Sequence, residues 1–230
     1  MNSDATGGKG VDLSHVVLKL EDADFSRIEG DCWTHFSFRI LKWPDDTETY
    51  SDEILLSVGH LEVLRLNWAV ANEQEKSLLD IFYSDWSQTI DCYEAIFDKK
   101  DHLRKPFRDE SSFGLFEDLT TDLHILDRIT IDEHFKGQGI TGEASRIYLE
   151  RFASGYDAYY VKAFPLQFEG NETHPQDDYP RKFNGTFRAC QEKLCKYYQE
   201  LGFRRIGKTP HFFGSVEDYY YRRQRILSEK

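Results

Sequence analysis

The sequence predicts a mixed α/β fold, in which helices cover both faces of a mostly antiparallel central sheet. Segments with strand character and segments with helical spacing of apolar residues both occur along the chain, and these two periods distinguish strands from amphipathic helices. The second half shows a β-α-β-α-β order, and the connection lengths suit antiparallel neighbours. The composition, 40% hydrophobic and 15% aromatic with 6 prolines, is that of a folded globular chain.

The chain of 230 residues is long enough for one domain with a substantial core. We predict a disordered tail over residues 1–12 and a single domain over 13–230, with an atypical N-terminal part (13–121) and a core (122–225). The tail lacks the basic-then-apolar order of a signal peptide, and no apolar run approaches the roughly 20 residues that cross a bilayer. The 4 cysteines are interpreted as reduced thiols, so we expect a cytoplasmic protein without a membrane partner.

The charge of the chain is unevenly distributed. The net charge is −12, yet residues 181–230 hold 12 Lys and Arg against 5 Asp and Glu. An acidic body disfavours non-specific nucleic-acid binding, whereas a local basic segment suits a small polyanion such as a phosphorylated cofactor. Solvated surface charge is an equally good interpretation of the basic segment.

The N-terminal part is predicted to contain two strands and one helix. Residues 34–43 alternate apolar and polar side chains, residues 53–68 are rich in Leu, Ile and Val, and the turn residues after Pro44 make the two an antiparallel pair. Asn72, with Glu75 three residues later, resembles a helix N-cap. Apolar residues at helical spacing then predict one long amphipathic helix, and they are Leu79, Phe82, Trp86, Ile90, Tyr93 and Phe97. The charged residues 98–121 are predicted to be an irregular connection.

The secondary-structure elements of the second half are easier to predict. Its predicted elements are a strand over 124–131, a helix over 140–153, a strand over 158–164, a polar loop over 169–187, a helix over 187–201 and closing strands over 203–207 and 218–224. The loop is long enough for a functional lid, although a surface insertion explains it equally well. Gly202 suits the position just after a helix.

A glycine-rich turn joins the strand over 124–131 to the helix that follows it. Its residues are Lys136, Gly137, Gln138, Gly139, Ile140, Thr141 and Gly142. Glycines remove Cβ atoms from the turn, so that N–H groups at the helix start are free to bind an anion, and the helix dipole adds to the attraction. The turn therefore suits a diphosphate. Glycine used only for the geometry of a tight turn is the alternative.

Together with a second motif, this turn resembles the GNAT acetyltransferase superfamily. The second motif runs from Leu194 to Phe203 and contains Tyr198-x-x-x-Gly202-Phe203, which is similar to the helix end of that family. The resemblance covers residues 120–225. It implies a GNAT-like central sheet whose strands are splayed at the cofactor site, and the transfer of an acetyl group from acetyl-CoA to a primary amine.

The resemblance also implies the residues of the cofactor site, with acetyl-CoA as cosubstrate and no metal ion. Main-chain groups of Ile129 and Ile131 are expected to pair with the pantetheine arm, a role compatible with core packing of both side chains. The remaining implied contacts are Lys136, Gly137, Gln138, Gly139, Ile140, Thr141, Gly142 and Gln191.

Three of these positions depart from the family pattern. Lys136 replaces Arg or Gln, Thr141 takes the final Gly or Ala position, and Gln191 lies where many members have Asn. Lysine supplies positive charge without the planar fork of arginine. The β-branched side chain of Thr141 reduces the space through which the phosphates would reach the turn, unless the backbone freedom of Gly142 compensates for it.

Two side chains are predicted to be catalytic. Tyr198 falls on the tyrosine position of the family, where its hydroxyl protonates the departing thiolate; packing beside Phe203 is its alternative role. His124 is the preferred general base, because an imidazole titrates near neutral pH, and a structural role is the alternative. Other candidate bases on or near the same strand are Asp127, Asp132 and His134. The spacing of the histidines and cysteines indicates no metal site.

The acceptor is expected to be a small-molecule or protein amine, and the acidic body favours a cationic one. A non-catalytic module that binds acyl-CoA and regulates a partner is the first alternative. The second alternative is a toxin-like enzyme that acetylates aminoacyl-tRNA. The net negative charge of the chain disfavours this alternative, although the basic C-terminal segment would suit RNA. The sequence is also compatible with a homodimer.

Overall fold

The computed structural model describes residues 16–24, 32–44, 55–74, 77–83, 87–100, 102, 104, 121–166 and 186–229. Its strands form one six-stranded sheet in which sequence order is also spatial order. They are β1 (Val16–Asp24), β2 (Trp33–Lys42), β3 (Leu56–Leu66), β4 (Leu123–Ile131), β5 (Ala158–Lys162) and β6 (His211–Ser215). All neighbours are antiparallel except β4 and β5, which are parallel. The predicted mixed, mostly antiparallel sheet is confirmed.

Helices cover both faces of this sheet, as predicted. They are α1 (Trp68–Glu73), α2 (Leu78–Phe82), α3 (Ser87–Ile96), α4 (Ile140–Phe152), α5 (Phe187–Glu200) and α6 (Val216–Ser228), with a short 3-10 helix (Glu133–Phe135) before α4. Buried apolar residues form two clusters, one on each face. Helices α4, α5 and α6 contribute to the first cluster, and α1, α2 and α3 contribute to the second.

The edge strand β1 was not predicted. Val16, Leu18 and Leu20 alternate as in a strand, but four acidic or small residues follow them. The pairing with β2 shifts register after Leu20, and the side chain of Leu20 is exposed. A short, irregular and partly polar edge strand gives a weak periodic signal, which is why the pattern was not recognised.

The single long helix predicted after residue 72 is wrong, because α1, α2 and α3 occupy this region. Asn67 caps α1 by accepting from the N–H of Val70, and Ser77 caps α2. The carbonyl of Ile81 accepts from the indole N–H of Trp33 at 2.9 Å, and the carbonyl of Phe82 accepts from the hydroxyl of Thr89. A continuous helix would bond these carbonyls internally, so tertiary partners replace the helical ladder here.

Both closing strands of the prediction are also wrong. Residues 203–207 make one isolated bridge, between Arg205 and Phe212, and β6 follows instead. Residues 218–224 belong to α6, which starts where the Ser215 hydroxyl accepts from the N–H of Asp218 at 3.1 Å. Tyr219 is buried against the first core cluster, as the inner face of a helix requires.

The predicted strand over 124–131 and the helices over 140–153 and 187–201 correspond to β4, α4 and α5. The tail over 1–12, most of the connection over 98–121 and residues 169–185 of the loop lie outside the described residues. Within the described ranges, no helix is both long and apolar enough to cross a membrane. Strands from the N-terminal part and from the C-terminal part pair directly, through β3 and β4.

Candidate cofactor site between β4 and β5

A bulge in β4 changes the direction in which its backbone groups point. Glu62 of β3 faces Arg128, while the next residue, Val63, faces Leu126, so Asp127 is the inserted residue. Before the bulge, the carbonyl of Asp122 accepts from β5 at 2.9 Å; after it, the N–H of Asp132 donates to β3 at 2.9 Å. Because backbone groups alternate between the two edges of a strand, the N–H and C=O groups of Ile129 and Ile131 point towards the β5 side.

Beyond the bulge, β4 and β5 part. Their pairing runs from Leu123 with Ala158 to Leu126 with Val161, and it extends no further among the described residues of the two strands. Strand β4 continues to Ile131. Among the described residues, the main-chain groups of Ile129 and Ile131 therefore have no strand partner on the β5 side and border the gap that opens between the two strands, while their side chains pack against the first core cluster. The two roles predicted for these isoleucines are thus geometrically compatible.

The glycine-rich turn lies directly after this open edge. Gly137 and Gly139 both have φ of +79°, a conformation that favours glycine. Gly139 is the N-cap of α4 without a side-chain cap bond, and its carbonyl receives the first helical bonds, from Gly142 and Glu143. The N–H groups of Ile140 and Thr141 precede this ladder, so they have no helical acceptor. An anion at the turn would find these two donors and the positive end of the helix dipole.

The other turn residues have different roles. A Cβ atom on Gly142 would lie 2.3 Å from Cδ2 of Leu201, so this glycine allows α4 to approach the end of α5 and does not shape the turn. Thr141 is half-buried and lies beside the hydroxyl of Tyr197. Burial raises the pKa of Tyr197, and the neighbouring Thr141 side chain and Gly142 backbone oppose the rise. Tyr197 is therefore the tyrosine beside the turn, a position that was not predicted.

Several of the side chains predicted to bind the cofactor lie in the core, at the surface or in hydrogen bonds to the backbone. Ile140 is buried in the core, which leaves only its main chain for a ligand, and Lys136 is exposed. The amide of Gln138 donates to the carbonyl of His134 at 3.3 Å. The amide of Gln191 donates to the carbonyl of Ala163 at 3.3 Å, which ties α5 to the chain just beyond β5.

Tyr198 is buried at the centre of an aromatic group. Its ring packs edge-on against Phe203, with centroids 5.7 Å apart, and lies 5.5 Å from the ring of Phe212. Burial raises the pKa of Tyr198, so the hydroxyl keeps its proton at neutral pH. Among the described residues, no partner hydrogen-bonds to this hydroxyl. The packing role is therefore present, and the hydroxyl is in the protonated form that a general acid requires.

His124 lies in a closed network beneath α4. Its Nδ1 is 2.8 Å from the hydroxyl of Tyr148, its Nε2 is 3.3 Å from the carboxylate of Asp157, and its side chain is 0% exposed. Burial alone would raise the pKa of Asp157, but bonds from His124 and from the Ser154 N–H hold it below its usual value. With both ring nitrogens bonded and no exposed surface, His124 links β4, α4 and the turn before β5. These contacts give His124 a structural role.

A polar cluster that the sequence analysis missed lies where β5 ends, on the face of α1–α3. The hydroxyl of Tyr160 is 2.8 Å from Nδ1 of His211, and Nζ of Lys162 is 2.6 Å from the carboxylate of Asp91. Cys92 is buried beside them. These residues come from α3, β5 and β6, and no local spacing in the sequence connects them.

A cavity of about 440 Å³ lies apart from the turn, between α5, the segment after it and α6. Its basic lining residues are Arg204, Arg205, Arg222 and Arg225. Three of them form ion pairs with nearby carboxylates, which are those of Glu192, Asp218 and Glu229. Because much of the positive charge is compensated locally, we do not place the chemistry in this cavity.

In the part of the chain that the structure describes, no group of three His, Cys, Asp or Glu side chains is arranged to hold a metal ion. No protein-family model matches the chain, and neither a curated protein nor a solved structure matches it.

Proposed function

We propose that the protein is an N-acetyltransferase that transfers the acetyl group of acetyl-CoA to a primary amine, as its resemblance to the GNAT superfamily implies. The observation that carries this proposal is the parting of β4 from β5 after Leu126 and Val161, directly before the glycine-rich turn. An open strand edge followed by free helix N–H groups suits a ligand with a peptide-like arm and a diphosphate.

The residues present fit the two parts of acetyl-CoA. The N–H groups of Ile140 and Thr141 would bind the diphosphate, and the exposed Lys136 supplies positive charge at the same turn. The main-chain groups of Ile129 and Ile131 would pair with the amides of the pantetheine arm, as an added strand pairs with a sheet edge. Acetyl-CoA supplies the thioester carbonyl at which the amine attacks.

The chemistry requires positioning and two proton transfers. The amine nitrogen forms a bond to the carbonyl carbon, the C–S bond breaks, a base takes one proton from the nitrogen and an acid gives one to the thiolate. Main-chain N–H groups at the open edge of β4 would polarise the carbonyl. Tyr198 is our candidate acid, because it falls on the tyrosine position of the family and its hydroxyl carries a proton at neutral pH.

The acidic charge of the chain favours a cationic acceptor, either a small molecule or a protein amine. Nucleic acid and metal ions have no part in the proposal.

We place the protein in the cytoplasm, a location that suits its four free thiols, Cys32, Cys92, Cys190 and Cys195.

Calorimetry with acetyl-CoA and with coenzyme A tests the cofactor site. We expect micromolar binding by the wild type and its loss in Gly139→Trp, whose side chain would block the turn. Gly207→Trp is the matched control, because Gly207 also has a positive φ (+54°), has nothing within 4 Å of its Cβ position and lies outside the turn. Absence of binding by the folded wild type would refute the proposal.

Release of free thiol in the presence of primary amines then tests turnover. An acetyltransferase releases coenzyme A in proportion to amine acetylated, whereas a non-catalytic acyl-CoA-binding module binds acetyl-CoA without turnover. Salt-sensitive binding of tRNA would favour the alternative in which the acceptor is an aminoacyl-tRNA.

A further inference from the structure

The polar cluster at the end of β5 lies at the mouth of the gap between β4 and β5. Lys162 pairs with His211 one rung beyond Val161, the last β5 residue that pairs with β4. Because side chains on alternate strand residues share a face, His211 and Lys162 point to the same face as Phe213 and Tyr160. That face carries α1–α3, whereas α4 and its N-terminus cover the other face.

The cluster therefore lies on the face of the sheet from which an acceptor amine would approach the bound ligand. A ligand held by the turn at α4 that passes through the gap would present its far end on the α1–α3 face. There it would meet groups from α3, β5 and β6. An acceptor approaching from that face would reach the end of the arm without crossing the diphosphate site.

The contacts of His211 involve one of its two ring nitrogens. The hydroxyl of Tyr160 lies 2.8 Å from Nδ1 of His211 and 3.5 Å from the carbonyl of Asp91. In the tautomer that the hydroxyl selects when it gives its one proton to Asp91, Nδ1 carries the hydrogen of the bond between the two rings. Nε2 then holds the lone pair of the neutral imidazole, and it hydrogen-bonds to none of the described residues.

The charges around His211 keep it neutral. Burial lowers the pKa of His211, and the ammonium of Lys162 lowers it further, while the Asp91 carboxylate that pairs with Lys162 opposes them. Burial raises the pKa of Tyr160 and of Cys92, so both stay uncharged. At neutral pH the imidazole is therefore in the form that accepts a proton.

We propose that His211 is the general base of the acetyl transfer and that its Nε2 accepts the proton which the attacking amine loses. The inference rests on the proposed function. As the C–N bond forms and the C–S bond breaks, one proton passes from the amine nitrogen to Nε2, and the thiolate receives another from Tyr198. The imidazolium then returns its proton to solvent, and the tyrosinate of Tyr198 takes one back, which restores the enzyme.

Steady-state kinetics of His211→Gln test the assignment, with spermidine and a lysine-containing peptide as probe amines. We expect kcat to fall by roughly 100-fold to 10,000-fold, the usual contribution of a general base. The affinity for acetyl-CoA, measured by calorimetry, should not change. The rise of kcat/KM with pH, which reports the ionisation of His211 in the wild type, should disappear in the variant.

A second variant, Lys162→Gln, separates a catalytic role from a structural one. Removing the ammonium raises the pKa of His211, so the rise of kcat/KM should move to higher pH while acetyl-CoA binding is unchanged. Turnover by the wild type, with an unaltered kcat and pH profile in His211→Gln, would overturn the base assignment and leave the proposed function intact. Failure of the folded wild type to bind acetyl-CoA would overturn both.

Discussion

Gly142 and Leu201 lie so close together that a Cβ atom on Gly142 would overlap a terminal methyl group of the leucine, whose side chain would have to shift. We predict that Gly142→Ala lowers the free energy of unfolding by about 1 kcal/mol, the lower end of the usual cost of overpacking, because the leucine methyl groups can move. Urea denaturation measures this change. Gly155→Ala is the control, because Gly155 has nothing within 4 Å of its Cβ position.

The double variant Gly142→Ala/Leu201→Ala locates the source of that cost. If the collision with Leu201 is responsible, the cost of Gly142→Ala should be smaller in the Leu201→Ala background than in the wild type. An equal cost in both backgrounds would contradict a direct contact.

The charge preference of the turn is tested by Gly139→Asp and Gly139→Asn. Asp and Asn have nearly the same shape and tolerate a positive φ better than other side chains do, so they differ mainly in charge at this position. Like charges in contact cost several kcal/mol, so Asp should weaken acetyl-CoA binding by roughly 100-fold or more relative to Asn. Equal calorimetric affinities would show that no phosphate lies at the turn.

Tyr197 and Tyr198 are adjacent but should respond differently to loss of the hydroxyl. Tyr198→Phe should lower kcat by roughly 100-fold or more if the hydroxyl acts as the acid, with little effect on stability because it has no partner among the described residues. Tyr197→Phe removes a hydroxyl that lies beside Thr141 and Gly142 at the turn and should chiefly change the affinity for acetyl-CoA. Kinetics and calorimetry on both variants separate the two roles; a Tyr198→Phe enzyme with the wild-type kcat would exclude Tyr198 as the acid.

His124 should matter for stability and not for the chemical step. In His124→Gln, the buried hydroxyl of Tyr148 and the carboxylate of Asp157 lose well-placed partners. Unsatisfied buried polar groups cost about 1–3 kcal/mol each, so the unfolding midpoint should fall while kcat per folded molecule is retained. A large loss of kcat in a stable variant would restore His124 as a candidate base.

Asp157 should make stability sensitive to acid. Its folded-state pKa is lowered, so its contribution is complete above the unfolded value of about 3.9 and is lost as the pH falls through the folded pKa. The wild type should therefore lose stability relative to Asp157→Asn as the pH is lowered from 5 towards 2. Urea denaturation across this range measures the difference, and parallel pH curves for the two proteins would contradict the prediction.

The parts of the fold that were predicted correctly are marked by short sequence signals at the ends of helices. The helix α4 begins directly after its N-cap Gly139, whose positive φ only glycine adopts easily, and α5 ends before Gly202, which has φ of +103°. Such signals act over a few residues, so the sequence displays them directly. The regions that failed, α1 to α3 and α6, depend on partners distant in sequence, such as Trp33 for the carbonyl of Ile81.

The features of the candidate site also fall into those that the sequence predicts and those that only the folded protein shows. The glycine-rich turn and the position of Tyr198 on a helix could be predicted from the chain, because turn geometry and helix periodicity are properties of neighbouring residues. The bulge at Asp127, the parting of β4 from β5, the burial of His124 and the meeting of Tyr160 with His211 required the folded protein. They arise from strand register, which brings together residues far apart in the chain, and a shift of one residue changes the face and the partner of every side chain that follows.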